Sequence, residues 1–230
     1  MFEVAVTTRV ATYDRVVAAS RARVWENVRD WEHLPWLHRE TFTTVHLRAA
    51  GSWGWRVDVG LRGAPHGDPP LDLELRIEDA AERYHARTLA GPGTGTDIVT
   101  SLAPAGEHRT AVHVEFLVPD VPAGQVKAVG DAFRRTYACL WDQDEAMMIR
   151  RQALLDGRLD PPLREVRLGG GRVRFHPVCP HRGGPLDDAP VEDGCVTCPW
   201  HGYRFDLLTG AGVGGCDLRL RDHTAGATEQ

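Results

Sequence analysis

Two stretches near the C-terminus, CPHRGGPLDD and CPWHGYRFD, each join a cysteine to a histidine: Cys179-x-His181 and Cys198-x-x-His201. Two thiols and two imidazoles at these spacings ask for a metal. Two cysteines and two histidines make a legitimate zinc set, but the C-x-H step is tighter than finger spacing and no finger helix follows it. A 2Fe–2S cluster with two thiolates on one iron and two imidazoles on the other needs one thiolate and one imidazole from each loop. These loops offer that set. Pro180 and Pro199 stiffen the chain, while Gly183, Gly184 and Gly202 let the backbone come close to a bulky group.

A second set of ligand-type residues lies far upstream, in WENVRDWEHLPWLH. His33 and His38 are five residues apart, about 140° around a regular helix, too far to aim both at one ion. Pro35 lies between them and breaks that regularity, which can turn both rings inward. Asp30 sits one helical turn before His33 and can hydrogen-bond it from behind. The plainer alternative is a helix end with solvated or capping histidines. Phe133, Tyr137, Leu140, Asp144 and Met147 or Met148 share one stripe of a long helix, so Asp144 faces the apolar interior. A buried carboxylate needs a partner or it turns neutral. Two inward histidines and this carboxylate form the facial triad used for non-haem Fe(II), with positions open for O2. The competing reading pairs Asp144 with one of the arginines.

The elements that must position these groups follow from periodicity. VTTRVATYDRVVAAS reads as a first strand, and Ser20 caps a helix, SRARVWENVRDWEHL, with Val24, Val28 and Trp31 on one face. Pro35 ends or kinks that helix. TFTTVHLRAA, WGWRVDVGL, LDLELRIED, YHARTLA, TDIVTSLAPA and TAVHVEFLVP then read as antiparallel strands, with Leu71, Leu73, Leu75 and Ile77 in period two. A long amphipathic helix runs from about Ala123 to Leu155. The fold class is α+β: a curved antiparallel sheet wraps the long helix and can enclose an apolar cavity, and a small all-β unit follows. DGRLDPPL acts as a hinge, giving domains 1–158 and 159–230. GPGTGT at 91–96 is a turn, since it opens no helix.

Bulk properties exclude several classes. A formal charge of -5 and scattered arginines, with Lys127 the only lysine, argue against nucleic acid as the main partner. No stretch approaches the ~20 apolar residues of a membrane span, and the first residues show no signal-peptide core. Five cysteines, an odd number, fit metal ligation in a reducing compartment better than a disulfide framework. The expectation is a cytoplasmic protein, with Cys195 and Cys216 as spare buried thiols.

CPHRGGPL followed by CPWHGYRFDLLTG resembles the Rieske ferredoxin and Rieske oxygenase family. Gly184 and Trp200 stand where cytochrome-complex Rieske proteins carry extra cysteines, so the resemblance is to the oxygenase and ferredoxin branch. It implies a 2Fe–2S cluster on Cys179, His181, Cys198 and His201. The first domain resembles the helix-grip superfamily of START domains, polyketide cyclases and Rieske oxygenase catalytic domains. Glu26-Asn27-x-x-Asp30-x-x-His33-x-x-x-x-His38 is similar to the oxygenase catalytic box, and QDEAMMIRRQ to the late-helix motif that donates a third ligand. The resemblance implies mononuclear Fe(II) on His33, His38 and Asp144, with Asp30 as a catalytic bridge toward a Rieske histidine. It implies oxidation of a small hydrophobic or aromatic substrate by O2, a reductase or ferredoxin as electron donor, and a homo-oligomer with a trimer as the expected form. The Rieske box comes last here, a permuted order, and the chain is shorter than a typical oxygenase subunit. Without mononuclear iron, the same chain reads as a helix-grip binding or cyclase domain fused to an electron-transfer domain.

Overall fold

The computed structural model describes residues 7–65 and 67–226. Met1–Val6, part of the segment read for signal character and the start of the first predicted strand, lie outside the described residues. Contacts divide the chain into two units, Met1–Met148 and Ile149–Gln230. The division falls inside the long helix rather than after it.

In the first unit, β1 (Thr7–Val17) leads to α1 (Arg21–Val28) and the four-residue α2 (Leu34–Leu37). Six strands follow: β2 (Phe42–Gly51), β3 (Gly54–Leu61), β4 (Leu71–Glu78), β5 (Arg83–Ala90), β6 (Asp97–Gly106) and β7 (Arg109–Pro119). Together with β1 they make a seven-stranded antiparallel sheet in the order β1-β7-β6-β5-β4-β3-β2. The edge strands β1 and β2 are neighbours in sequence, so α1 and α2 connect the two open edges. A single turn of 3-10 helix leads into α3 (Val126–Leu155).

The first helix is shorter than its pattern predicts. Ser20 caps it by accepting from the Arg23 amide, but it stops at Val28, and the Arg29 N–H closes back on Trp25 and Asn27 carbonyls. Trp31 therefore lies in the connection between α1 and α2 and not on the helix face. Pro35 does not end the first helix; it sits in the opening turn of α2, where a missing N–H costs nothing. This break lets the chain turn between His33 and His38.

Alternation along the strands separates two faces. Trp55, Val57, Val59, Leu75, Val112, Val114 and Phe116 form the core. Phe133 of α3 stacks on Phe116 at 5.0 Å, and Tyr137 meets the same ring edge-on at 4.8 Å. Fully burying a ring such as Phe116 contributes about 2–3 kcal/mol, and each aromatic pair about 1 more. The Trp55 indole N–H donates to the Val28 carbonyl at 2.9 Å, which ties the open C-terminus of α1 to the sheet. Gly130 lets α3 lie directly on β1: a Cβ there would strike the Val10 carbonyl and the Ala11 methyl. The register of β1 against β7 shifts between Arg9 and Ala11, at that same point.

The second unit holds two small sheets. β8 (Arg164–Leu168), β9 (Gly171–Phe175) and β13 (Thr224–Gly226) form one, in the order β13-β9-β8. β10 (Val191–Glu192), β11 (Cys195–Thr197) and β12 (Arg204–Asp206) form the other. The end of α3 belongs here. Arg150 donates to the Gly183 carbonyl at 3.2 Å and pairs with Asp187 at 3.2 Å. Among the described residues, no helix is long and apolar enough to cross a membrane.

Two candidate metal centres

Cys179 and Cys198 each open a loop of the second unit, and the two loops repeat one hydrogen-bond plan. The Cys179 N–H donates to the Gly184 carbonyl at 2.8 Å, and the Gly183 N–H donates back to the Cys179 carbonyl at 2.9 Å. The Cys198 N–H donates to Tyr203 at 2.8 Å, and Gly202 donates back to Cys198 at 2.9 Å. Gly183 and Gly202 close these turns at φ +81° and +71°, a conformation that favours glycine. Rigid turns of this kind hold the following histidine rings in place. His181 and His201 face each other edge-on with centroids 4.6 Å apart.

The two thiols are buried and adjacent. The hydrogen bond between them and burial push the Cys179 thiol up, and that bond pulls the Cys198 thiol down to about 5. Gly184 completes the cradle: a Cβ there would lie 2.5 Å from Cys198 Sγ and 3.4 Å from the Trp200 ring. Two sulfurs, two imidazoles and a side-chain-free floor fit a 2Fe–2S group. Cys195 is buried in β11, whereas Cys216 is only half-buried, so one of the two spare thiols is less enclosed than its sequence predicts.

In the first unit, His33, His38 and Asp144 come together, with one donor atom from each lying within 4.8 Å of the others. His38 Nε2 is 3.1 Å and His33 Nε2 3.6 Å from Asp144 Oδ1. The histidines are buried, 4% and 2% exposed, which excludes the solvated-helix-end alternative. The arginine alternative also fails. Arg15 takes Asp142 at 2.6 Å and Glu145 beside it, so the acids flanking Asp144 hold the guanidinium and Asp144 turns to the imidazoles.

The far nitrogen of each imidazole is also addressed. His38 Nδ1 lies 2.7 Å from Gln143 Oε1, so Nδ1 carries the proton and Nε2 keeps its lone pair. His33 Nδ1 faces Asp30 Oδ1 at 3.9 Å. Asp30 itself accepts from the Glu32 N–H at 3.2 Å and is 5% exposed. Burial opposes ionisation of Asp144, but His38, His33 and a hydrogen bond from Asn27 together hold its carboxyl below the usual range. Burial likewise opposes the charged form of His38, and Asp144 and Gln143 outweigh it. This set suits a divalent cation: two imidazole nitrogens and one carboxylate oxygen.

Asn27 and Gln143 carry no role in the sequence reading. The signal was there in outline, since Asn27 is the polar residue among Val24 and Val28 on the inner face of α1, and Gln143 adjoins the α3 stripe.

A cavity of ≈ 130 Å³ lies against the three donors. Its walls include Trp55, Leu73, Leu75, Tyr84, Tyr137 and Trp141. Burial drives both tyrosine hydroxyls far above their usual range, so each is a neutral hydrogen-bond donor.

A family profile for the Rieske [2Fe-2S] domain matches residues 140–218. This chain carries a Rieske domain. Over 58 residues it is 43% identical to apoptosis-inducing factor 3 of Mus musculus, a match covering 21% of this chain and 10% of that protein. Over 50 residues it is 40% identical to the anthranilate 1,2-dioxygenase ferredoxin subunit of Burkholderia cepacia, covering 22% of this chain and 46% of that one. The matches thus span less than half the length of either relative. The Zhui aromatase/cyclase of Streptomyces sp. R1128 has a similar fold, with a TM-score of 0.52 at 14% identity over 64% of this chain and 96% of that one. At that identity the likeness is one of fold alone. The chain therefore combines a helix-grip, START-like fold with a Rieske domain, and the Rieske domain indicates a 2Fe–2S cluster.

Proposed function

We propose that this protein is a Rieske-type non-haem iron oxygenase. It hydroxylates or demethylates a small hydrophobic or aromatic substrate with O2, using electrons from a separate reductase or ferredoxin. The observation that carries the reading is the convergence of His33, His38 and Asp144 at the wall of an apolar cavity. They come from two distant stretches of chain, the segment after α1 and α3, and nothing in a ligand-binding pocket requires them to meet.

When bound, mononuclear Fe(II) supplies oxygen activation and the 2Fe–2S cluster supplies single electrons. The chain does the rest. His33, His38 and Asp144 hold the ferrous ion, and Cys179, His181, Cys198 and His201 hold the cluster. Gln143 keeps the His38 proton on Nδ1. Asp30 orients His33 and is the carboxylate placed to relay charge to its ring. Asn27 lies beside Asp144 and favours its ionised form. The aromatic and aliphatic walls exclude water and orient an apolar substrate. The working form is proposed to be a cytoplasmic homo-oligomer, a trimer, and sedimentation of the intact protein checks this.

The likeness in fold to an aromatase/cyclase favours a second reading, in which the cavity binds or cyclises a ligand and the Rieske domain only transfers electrons. Anaerobic iron loading of the full chain separates the two. The oxygenase reading expects iron beyond the cluster, lost in His33→Ala while the cluster's visible absorbance stays. Cluster iron alone, unchanged by His33→Ala, would falsify it.

A further inference from the structure

The cavity wall specifies more than apolarity. Among the described residues that line it, none is arginine or lysine, and the acids Asp30 and Asp144 are both at the metal-ligand end. Together they offset the charge of a divalent cation, and His33 and His38 already face these acids. A buried carboxylate on a ligand would find no counter-charge, and an unpaired buried charge is strongly disfavoured. Size sets a second limit. An apolar cavity of roughly 150 Å³ takes a single benzene, and this one is ≈ 130 Å³.

Polarity inside the cavity, away from the metal-ligand end, comes chiefly from two phenols. Tyr84 lies beside Thr100. Tyr137 stands on α3 seven residues before Asp144, about 10 Å along the axis on the same face. Its ring is held edge-on against Phe116, and the residue lines the cavity.

We infer that the cavity selects an uncharged, single-ring molecule bearing one oxygen, which accepts a hydrogen bond from Tyr137, and that it rejects aromatic carboxylates. The inference deepens the oxygenase reading by naming its substrate class and rests on it for the word substrate. The selection itself is an equilibrium binding property, so it stands or falls apart from the iron content.

The test is a titration of the full holoprotein, followed by quenching of the fluorescence of Trp55 and Trp141, which line the cavity. Phenol, toluene, benzoate and 1-naphthol are the probes, at neutral pH without reductant. Phenol should bind saturably, toluene about 5- to 10-fold more weakly, and benzoate at least ~100-fold more weakly. Two-ring 1-naphthol should bind more weakly than phenol. Tyr137→Phe should bring phenol to the affinity of toluene and leave toluene unchanged. Benzoate binding as tightly as phenol, no saturable quenching by any probe, or a phenol-to-toluene ratio that survives Tyr137→Phe would overturn the inference. Should that variant not fold, the four-probe series on the unmodified protein decides alone. Iron loading, read separately, reports on the oxygenase reading.

Discussion

The two candidate centres are built on different length scales. In the Rieske domain, all four residues proposed to hold the cluster lie between Cys179 and His201, on two loops with one hydrogen-bond plan. Each loop fixes its own thiolate and imidazole through a left-handed glycine and a handful of amides. In the helix-grip unit, His33 and His38 come from the broken segment after α1, and Asp144 comes from the middle of α3. No local turn holds that set together; the sheet, the Phe116–Phe133–Tyr137 stack and the contact of α3 with β1 do. A local site depends on backbone conformation and close approach, and a dispersed site depends on packing across the unit. Substitutions should therefore divide by mechanism.

The largest effect is expected from Gly184→Ala. Its methyl would meet Cys198 Sγ at 2.5 Å and the Trp200 ring at 3.4 Å, and both neighbours are buried. Most of the visible absorbance of the purified protein should vanish; a fully coloured variant would mean the cradle is less rigid than its hydrogen bonds imply.

Gln143→Leu probes the dispersed site without touching a ligand. Loss of the 2.7 Å contact to His38 should weaken Fe(II) or Co(II) binding about 10- to 100-fold. The cluster spectrum should not change. Equal metal affinity in variant and parent would show that His38 is oriented by packing alone.

Gly130→Ala sharpens the comparison from the packing side. The new methyl collides with the Val10 carbonyl, and overpacking of this kind costs about 1–3 kcal/mol. Helix propensity favours alanine and works the other way. A lowered denaturation midpoint is expected, and a stabilised variant would show that α3 can slide on β1.

Asp72→Asn should give the smallest effect. Asp72 accepts two hydrogen bonds from Arg56, at 2.8 and 2.6 Å, and chiefly for that reason its carboxyl titrates below its ordinary value. A depressed folded-state pKa stabilises above the unfolded value and loses that contribution as pH falls through the folded one. The variant should melt about 2 °C lower at pH 7, and the gap should close below about pH 4. A gap that persists into acid would point to packing, not charge.

Most of the fold was legible in the sequence for a simple reason. The strands of the helix-grip sheet alternate with period two, so Leu71, Leu73, Leu75 and Ile77 announce their shared face. The α3 stripe does the same for Asp144 with a period of 3.6. What misled was Pro35, because a proline in a helical pattern ends one helix or opens another, and only the chain's path past Arg29 decides which. The partners of Asp144 were equally hidden: an acid on an apolar stripe can meet arginine or histidine, and the choice turned on Arg15 reaching Asp142 and Glu145 instead.

The sequence by itself determined the paired Cys/His loops and the order of elements, because both are set by short-range spacing and backbone preference. Only the tertiary structure decided that two imidazoles and a carboxylate converge, that Gln143 braces His38, and that, among the described residues, no arginine or lysine lines the cavity. Those facts depend on which side chains neighbour one another across the sheet and α3, and neighbourhood at that range is a product of packing, not of position along the chain.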